Sequence, residues 1–141
     1  GYRNVNYTRE LLSIGLRKNL NENFIEYPKI NVIYKNCKNI KKYIGKGFTY
    51  GGILDDININ RDDIENRIKN KEFDIIIYGK VGKKRGEIDD LKNLKYWDIV
   101  NKNYDKNKII FIYGGDLLRD KNDKDLIYHE KYGICFVREL M

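Results

Sequence analysis

"FDIIIYGKVGKKRGE", residues 73–87, joins an apolar run to a loop that holds three glycines and four basic side chains. The run predicts a strand over Phe73–Tyr78. A second apolar run, "KIIFIYGGD" at 108–116, predicts another strand over Lys108–Tyr113. The segments "IIIYG" (75–79) and "FIYG" (111–114) end in the same Tyr-Gly pair, and a helical pattern over Leu91–Tyr104 lies between them. Strands built from such apolar runs belong in a parallel sheet covered by helices. Right-handed crossovers then bring both Tyr-Gly turns to one edge, the carboxyl end of the sheet. Ligands bind at that edge in open α/β sheets. The expected fold is a Rossmann-like three-layer α/β/α domain with a mostly parallel sheet, one domain over residues 1–141.

Working outward, Tyr7, Leu11, Leu12, Leu16 and Leu20 recur at helical spacing, with Asn6 or Thr8 placed to cap the start. "NFIEYP" (23–28) reads as a short strand stopped by Pro28, and "NVIYK" (31–35) as a further candidate strand. "GKGFTYGG" (45–52) carries too much glycine for a helix interior and reads as a loop. Asp62 and Glu65 give a capping-box-like helix start, Ile64 and Ile68 share a face, and Glu65 and Lys69 form an i,i+4 pair. "YGICFV" (132–137) predicts a last strand. A domain of this kind is expected to open with a strand, yet the chain opens with a loop leading into a helix. Either that strand is missing or the sheet does without it, and Gly1 in place of Met points to an engineered or processed start.

Composition bounds the rest. The 141 residues are 41% hydrophobic and 35% charged, enough apolar content for a core. No run reaches the roughly 18 apolar residues of a membrane helix. Cys37 and Cys135 form no CxxC pair, which points to a reducing compartment, the cytoplasm. The net charge of +7 accompanies a joint excess of Lys, Asn, Ile and Tyr, the bias of an AT-rich coding sequence. No nucleic-acid module appears, so no specific nucleic-acid partner is expected.

Several chemistries are excluded. Ser13, the only serine, lies inside a predicted helix, so there is no nucleophile elbow. His129, the only histidine, has no HExxH partner and reads as a surface or strand-edge residue, with a catalytic base role as its alternative. No metal site is expected. The loop at 79–86 lacks the Walker spacing and does not fit GxGxxG, because its glycines stand at 79, 82 and 86. It remains either an anion-attracting turn, with Gly79, Lys80, Gly82, Lys83, Lys84 and Arg85, or a solvated basic loop. "DKD" at 123–125 resembles a metal-binding DxD but lies within the charged "RDKNDKD", where chance accounts for it better. Asp116, just past Gly114, is the candidate base, with a binding or capping role as its alternative. In the 45–52 loop, Lys46, Phe48, Thr49 and Tyr50 are ligand candidates, the aromatics either stacking on a sugar or base or covering the core.

Taken in order, "YTRELLSIGLRKNL", "EYPK", "GKGFTYGGILDD", "FDIIIYGKV", "KIIFIYGGD" and "YGICFVREL" resemble the N-terminal half of bacterial and viral GT-B-type glycosyltransferases. The likeness spans nearly all of the chain. It implies a metal-independent transferase that needs no cofactor and moves a sugar from a nucleotide-sugar donor. This chain would form the acceptor-side half, completed by a second domain or chain. Lys80 departs from the small polar residue that the family pattern carries there. The alternative is a non-enzymatic α/β module that binds a nucleotide-like or phosphorylated small molecule.

Overall fold

The computed structural model describes residues 6–43, 50–84, 86–115 and 117–138. The chain forms two compact units, Gly1–Asp62 and Asp63–Met141.

The first unit begins with helix α1, Tyr7–Leu20. Asn6 caps it as expected, its side-chain oxygen accepting from the Arg9 N–H at 2.9 Å. The buried stripe, however, is Glu10, Ser13, Ile14 and Arg17, while Leu11 and Leu20 are exposed. The reason is an ionic cluster that claims the inner face. The Glu26 carboxylate accepts from Arg17 at 2.6 Å, from Arg61 and from the Tyr34 hydroxyl. Arg17 also donates to the Phe24 and Asn21 carbonyls. Burial of the Tyr34 phenol, followed by its bond to Glu26, raises its pKa above the ordinary tyrosine value.

Two expected strands in this unit give way to other structure. Residues 24–28 form no strand, because that segment serves to seat Glu26 in the cluster. "NVIYK" becomes a 3-10 turn, Asn31–Ile33, followed by a single parallel bridge between Tyr34 and Leu54. A pleated strand sends neighbouring side chains to opposite faces. Here the successive residues Val32, Ile33 and Tyr34 are all buried in one core with Ile14, Ile30 and Leu54.

The second unit opens with α2, Ile64–Lys69. Ile64 and Ile68 are buried and Glu65 pairs with Lys69 at 2.7 Å, both as the spacing predicts. The capping box does not form, since the N-cap is Asp63 in a left-handed conformation with no side-chain cap bond. Then follow β1 (Ile76–Tyr78), α3 (Trp97–Asn103), β2 (Ile109–Tyr113), α4 (Lys124–Glu130) and β3 (Ile134–Val137). The expected helix at 91–104 is thus a short 3-10 turn, Leu91–Asn93, followed by α3. The apolar spacing alone predicts no helix at α4.

The three strands make one parallel sheet in the order β1-β2-β3. The architecture is α/β. Tyr78 is level with Phe111, and Phe111 with Cys135. On the face of Phe111, its ring meets Tyr78, Trp97 of α3 and His129 of α4 at centroid separations of 5.8, 5.9 and 5.2 Å. Both helices therefore cover that face. The opposite face carries Ile77, Ile110, Ile112, Ile134 and Phe136 by register, and Ile134 and Phe136 are 43% and 56% exposed. The turn into β3 needs Gly133, where a Cβ would stand 2.6 Å from the Ile109 carbonyl oxygen and 2.7 Å from the Phe111 ring.

Candidate functional site at the carboxyl edge of the sheet

Because β1 and β2 run parallel, Tyr78-Gly79 and Tyr113-Gly114 both lie at the carboxyl edge of the sheet. The register sets Tyr113 two residues beyond the level of Tyr78, so the two turns are staggered. Both tyrosines share the helix-covered face. Burial raises both phenols well above the ordinary tyrosine range, with the Asp125 charge adding to the effect at Tyr113. Each stays a neutral donor: Tyr78 to the Lys95 carbonyl at 3.0 Å, Tyr113 to the Asp125 carbonyl at 3.1 Å.

The lysine-bearing loop follows β1 and folds back beside β2, where the Val81 N–H donates to the Ile112 carbonyl at 3.0 Å. Gly82 has φ +99, and a Cβ there would come within 2.7 Å of the Tyr113 ring. Its glycine is thus required by conformation and by close approach, rather than by a ligand. Three of the loop amides are held by carboxylates of the chain itself. Gly82 N–H donates to the Asp89 carboxylate at 3.0 Å, Lys83 N–H to one Asp125 oxygen at 3.1 Å, and Asp89 N–H to the other at 2.8 Å. Arg119 donates to the Lys83 carbonyl at 2.6 Å and to Asp125 at 3.2 Å, and lies 4.5 Å over the Tyr113 ring.

The "DKD" motif is explained here. Asp123 caps α4, accepting from the Asp125 and Leu126 N–H groups at 2.9 and 3.0 Å. Asp125 is 1% exposed and holds the loop. Among the described residues no group of three His, Cys, Asp or Glu side chains is placed to hold a metal ion.

His129 is fully buried on α4, contrary to the surface or strand-edge position expected for it. Its Nδ1 lies 2.8 Å from the Asp125 carbonyl and beside the Tyr113 hydroxyl, while Nε2 has no partner among the described residues. A proton on Nδ1 bonds that carbonyl, whereas one on Nε2 would be sealed without an acceptor. The geometry therefore assigns the Nδ1–H tautomer. A ring packed among Phe111, Tyr113 and Tyr128 has no path to a substrate.

The structure thus gathers Gly79, Lys80, Gly82 and Gly114 at one edge. Lys80, Lys83 and Lys84 are exposed, and their ammonium groups are what this loop offers an anion. Arg85 and Asp116 lie outside the described residues, as do Lys46, Phe48 and Thr49. Tyr50 belongs to the first unit, is 38% exposed, and donates its N–H to Glu10 at 3.1 Å.

Sequence reasoning missed Asp89, Arg119 and Asp125 as the residues that shape this edge. One signal was present: Asp125 and His129 stand four apart, starting two residues after Asp123, an aspartate suited to an N-cap. Among the described residues, no helix is long and apolar enough to cross a membrane. Comparison with protein-family models, with curated proteins and with solved structures finds no match for this chain.

Proposed function

We propose that the carboxyl edge of this sheet binds the phosphates of a nucleotide sugar, and that the chain is a glycosyltransferase-like domain. In this reading it is the Rossmann-like, acceptor-side half of a GT-B-type transferase. The observation that carries the proposal is the parallel pairing of β1 with β2, which sets two Tyr-Gly strand ends and a lysine-bearing loop at one edge. Lys80, Lys83 and Lys84 would meet the diphosphate as point charges and stabilise it as it departs. Asp116, two positions past Gly114 in the sequence, is the candidate base toward the acceptor hydroxyl. Arg85 joins the cationic set by its place in the loop.

Thermal-shift measurement against UDP-, GDP- and CDP-sugars tests binding. A ligand held at a hundred times its Kd stabilises the folded chain by about 2.7 kcal/mol. The shift should shrink in Lys80→Ala and Lys84→Ala. No shift with any nucleotide sugar sinks the proposal.

A second reading, a non-enzymatic binder of a phosphorylated small molecule, is favoured by one observation. Asp89, Asp123, Asp125 and His129 are all engaged in holding the loop and α4 rather than turned toward a ligand. Donor turnover with an acceptor present separates the two. Saturable binding without turnover supports the binder.

A further inference from the structure

The Gly82, Lys83 and Asp89 amides are donors of the kind that cradle a phosphate in anion-binding loops. Here the place of the anion is taken by the protein's own carboxylates. The two oxygens of Asp125 bridge Lys83 N–H and Asp89 N–H, so one side chain ties both ends of the loop together. The Asp89 carboxylate closes a smaller ring onto Gly82 N–H. Arg119 completes the circuit by balancing the Asp125 charge and gripping the Lys83 carbonyl from the other side. Asp125 itself is rooted in α4, where its own N–H bonds to the Asp123 cap and its carbonyl accepts from Tyr113 and His129.

We propose that Asp125 is a positioning residue: an internal anion that locks the 82–89 loop to α4 and so presents Lys80, Lys83 and Lys84 as a preorganised cationic set. Its consequence for binding rests on the reading above, in which those lysines meet a diphosphate. With the Gly82, Lys83 and Asp89 amides already occupied, contact with an external anion falls to flexible ammonium groups, which supply charge without directional hydrogen-bond geometry. Fixing the backbone beneath them reduces the ordering cost of binding. Ligand charge rather than phosphate shape then sets affinity, so pyrophosphate binds more tightly than orthophosphate.

The test uses the full chain with Asp125→Asn and Asp125→Glu, read by residue-resolved amide exchange and by pyrophosphate titration. Asparagine offers an N–H where an oxygen accepted, so a loop amide must lose its partner. Glutamate keeps the charge beside Arg119, but its extra methylene spoils the bridge, which covers the case in which the asparagine variant fails to fold. Losing one such bond should speed exchange at Lys83 and Asp89 about tenfold, while the amides of β2 stay protected. Pyrophosphate affinity should fall in parallel. Unchanged exchange at Lys83 and Asp89 overturns the lock, and unchanged pyrophosphate affinity in a variant with a loosened loop overturns the positioning role. If the parent chain binds no pyrophosphate, the ligand reading fails, whereas the exchange result alone decides whether Asp125 fixes the loop.

Discussion

Glu26 and Arg17 meet at 2.6 Å with side chains 4% and 5% exposed, a buried ion pair nine residues apart in the sequence. Arg61 meets the same carboxylate, and Tyr34 donates its hydroxyl to it. Two guanidinium groups therefore depend on one acid. Glu26→Gln leaves them facing each other without a counter-charge, a loss on the order of 3–5 kcal/mol. Urea unfolding followed by circular dichroism measures it, and a loss below about 1 kcal/mol would contradict the cluster's role.

The two faces of the sheet predict opposite mutational costs. Phe111 is fully buried among Tyr78, Trp97 and His129, so Phe111→Ala should cost about 3–5 kcal/mol. Phe136 lies in β3 on the other face and is 56% exposed, so Phe136→Ala should cost about 1 kcal/mol or less. Chemical denaturation of the two variants side by side checks the assignment, and equal costs would refute it.

Gly82→Ala should destabilise the second unit by about 1–3 kcal/mol, because the new methyl meets the Tyr113 ring while φ stays positive. Exchange at the Lys83 amide should rise with it. Gly86 is also at positive φ but has open space around its Cβ position. Gly86→Ala should therefore show the milder backbone penalty alone.

Burial pushes the Cys135 thiol up to about 12. Both cysteines are partly exposed, so at pH 8 an alkylating reagent should modify Cys37 faster than Cys135, whose thiol stays protonated, as peptide mass mapping will show. Above the ordinary thiol value of 9.0 the unfolded chain releases a proton that the folded chain keeps. Stability therefore falls as pH rises through that range, until the folded thiol ionises near 12. Tyr78 and Tyr113 add to the loss above the ordinary tyrosine value of 10.0. Alkaline thermal melts of Cys135→Ala should show a smaller decline between pH 9 and 11 than the parent. An identical decline would remove the thiol from the account.

The strands of the second unit were legible because β-branched runs bounded by glycine admit few other structures, and their shared direction followed from the lack of polar alternation. The α1 cap was legible because it is local. The inner face of α1 was misread, since leucine periodicity carries no information about a glutamate waiting at position 26 to claim Arg17. The same holds for α4 and the loop. Asp125 acts on Lys83 across 42 residues of sequence, and its charged surroundings give it the look of a solvated segment. What escaped the sequence was in each case a buried polar side chain whose partner lies outside its own helix.

Gly82 and Gly133 also bear on how this sequence can drift. At both positions a side chain would overlap an aromatic ring of β2, Tyr113 in one case and Phe111 in the other. Relatives that keep those rings will keep those glycines. An invariant glycine in a basic loop invites interpretation as a phosphate signature. At Gly82 it records a steric fit with the Tyr113 ring instead.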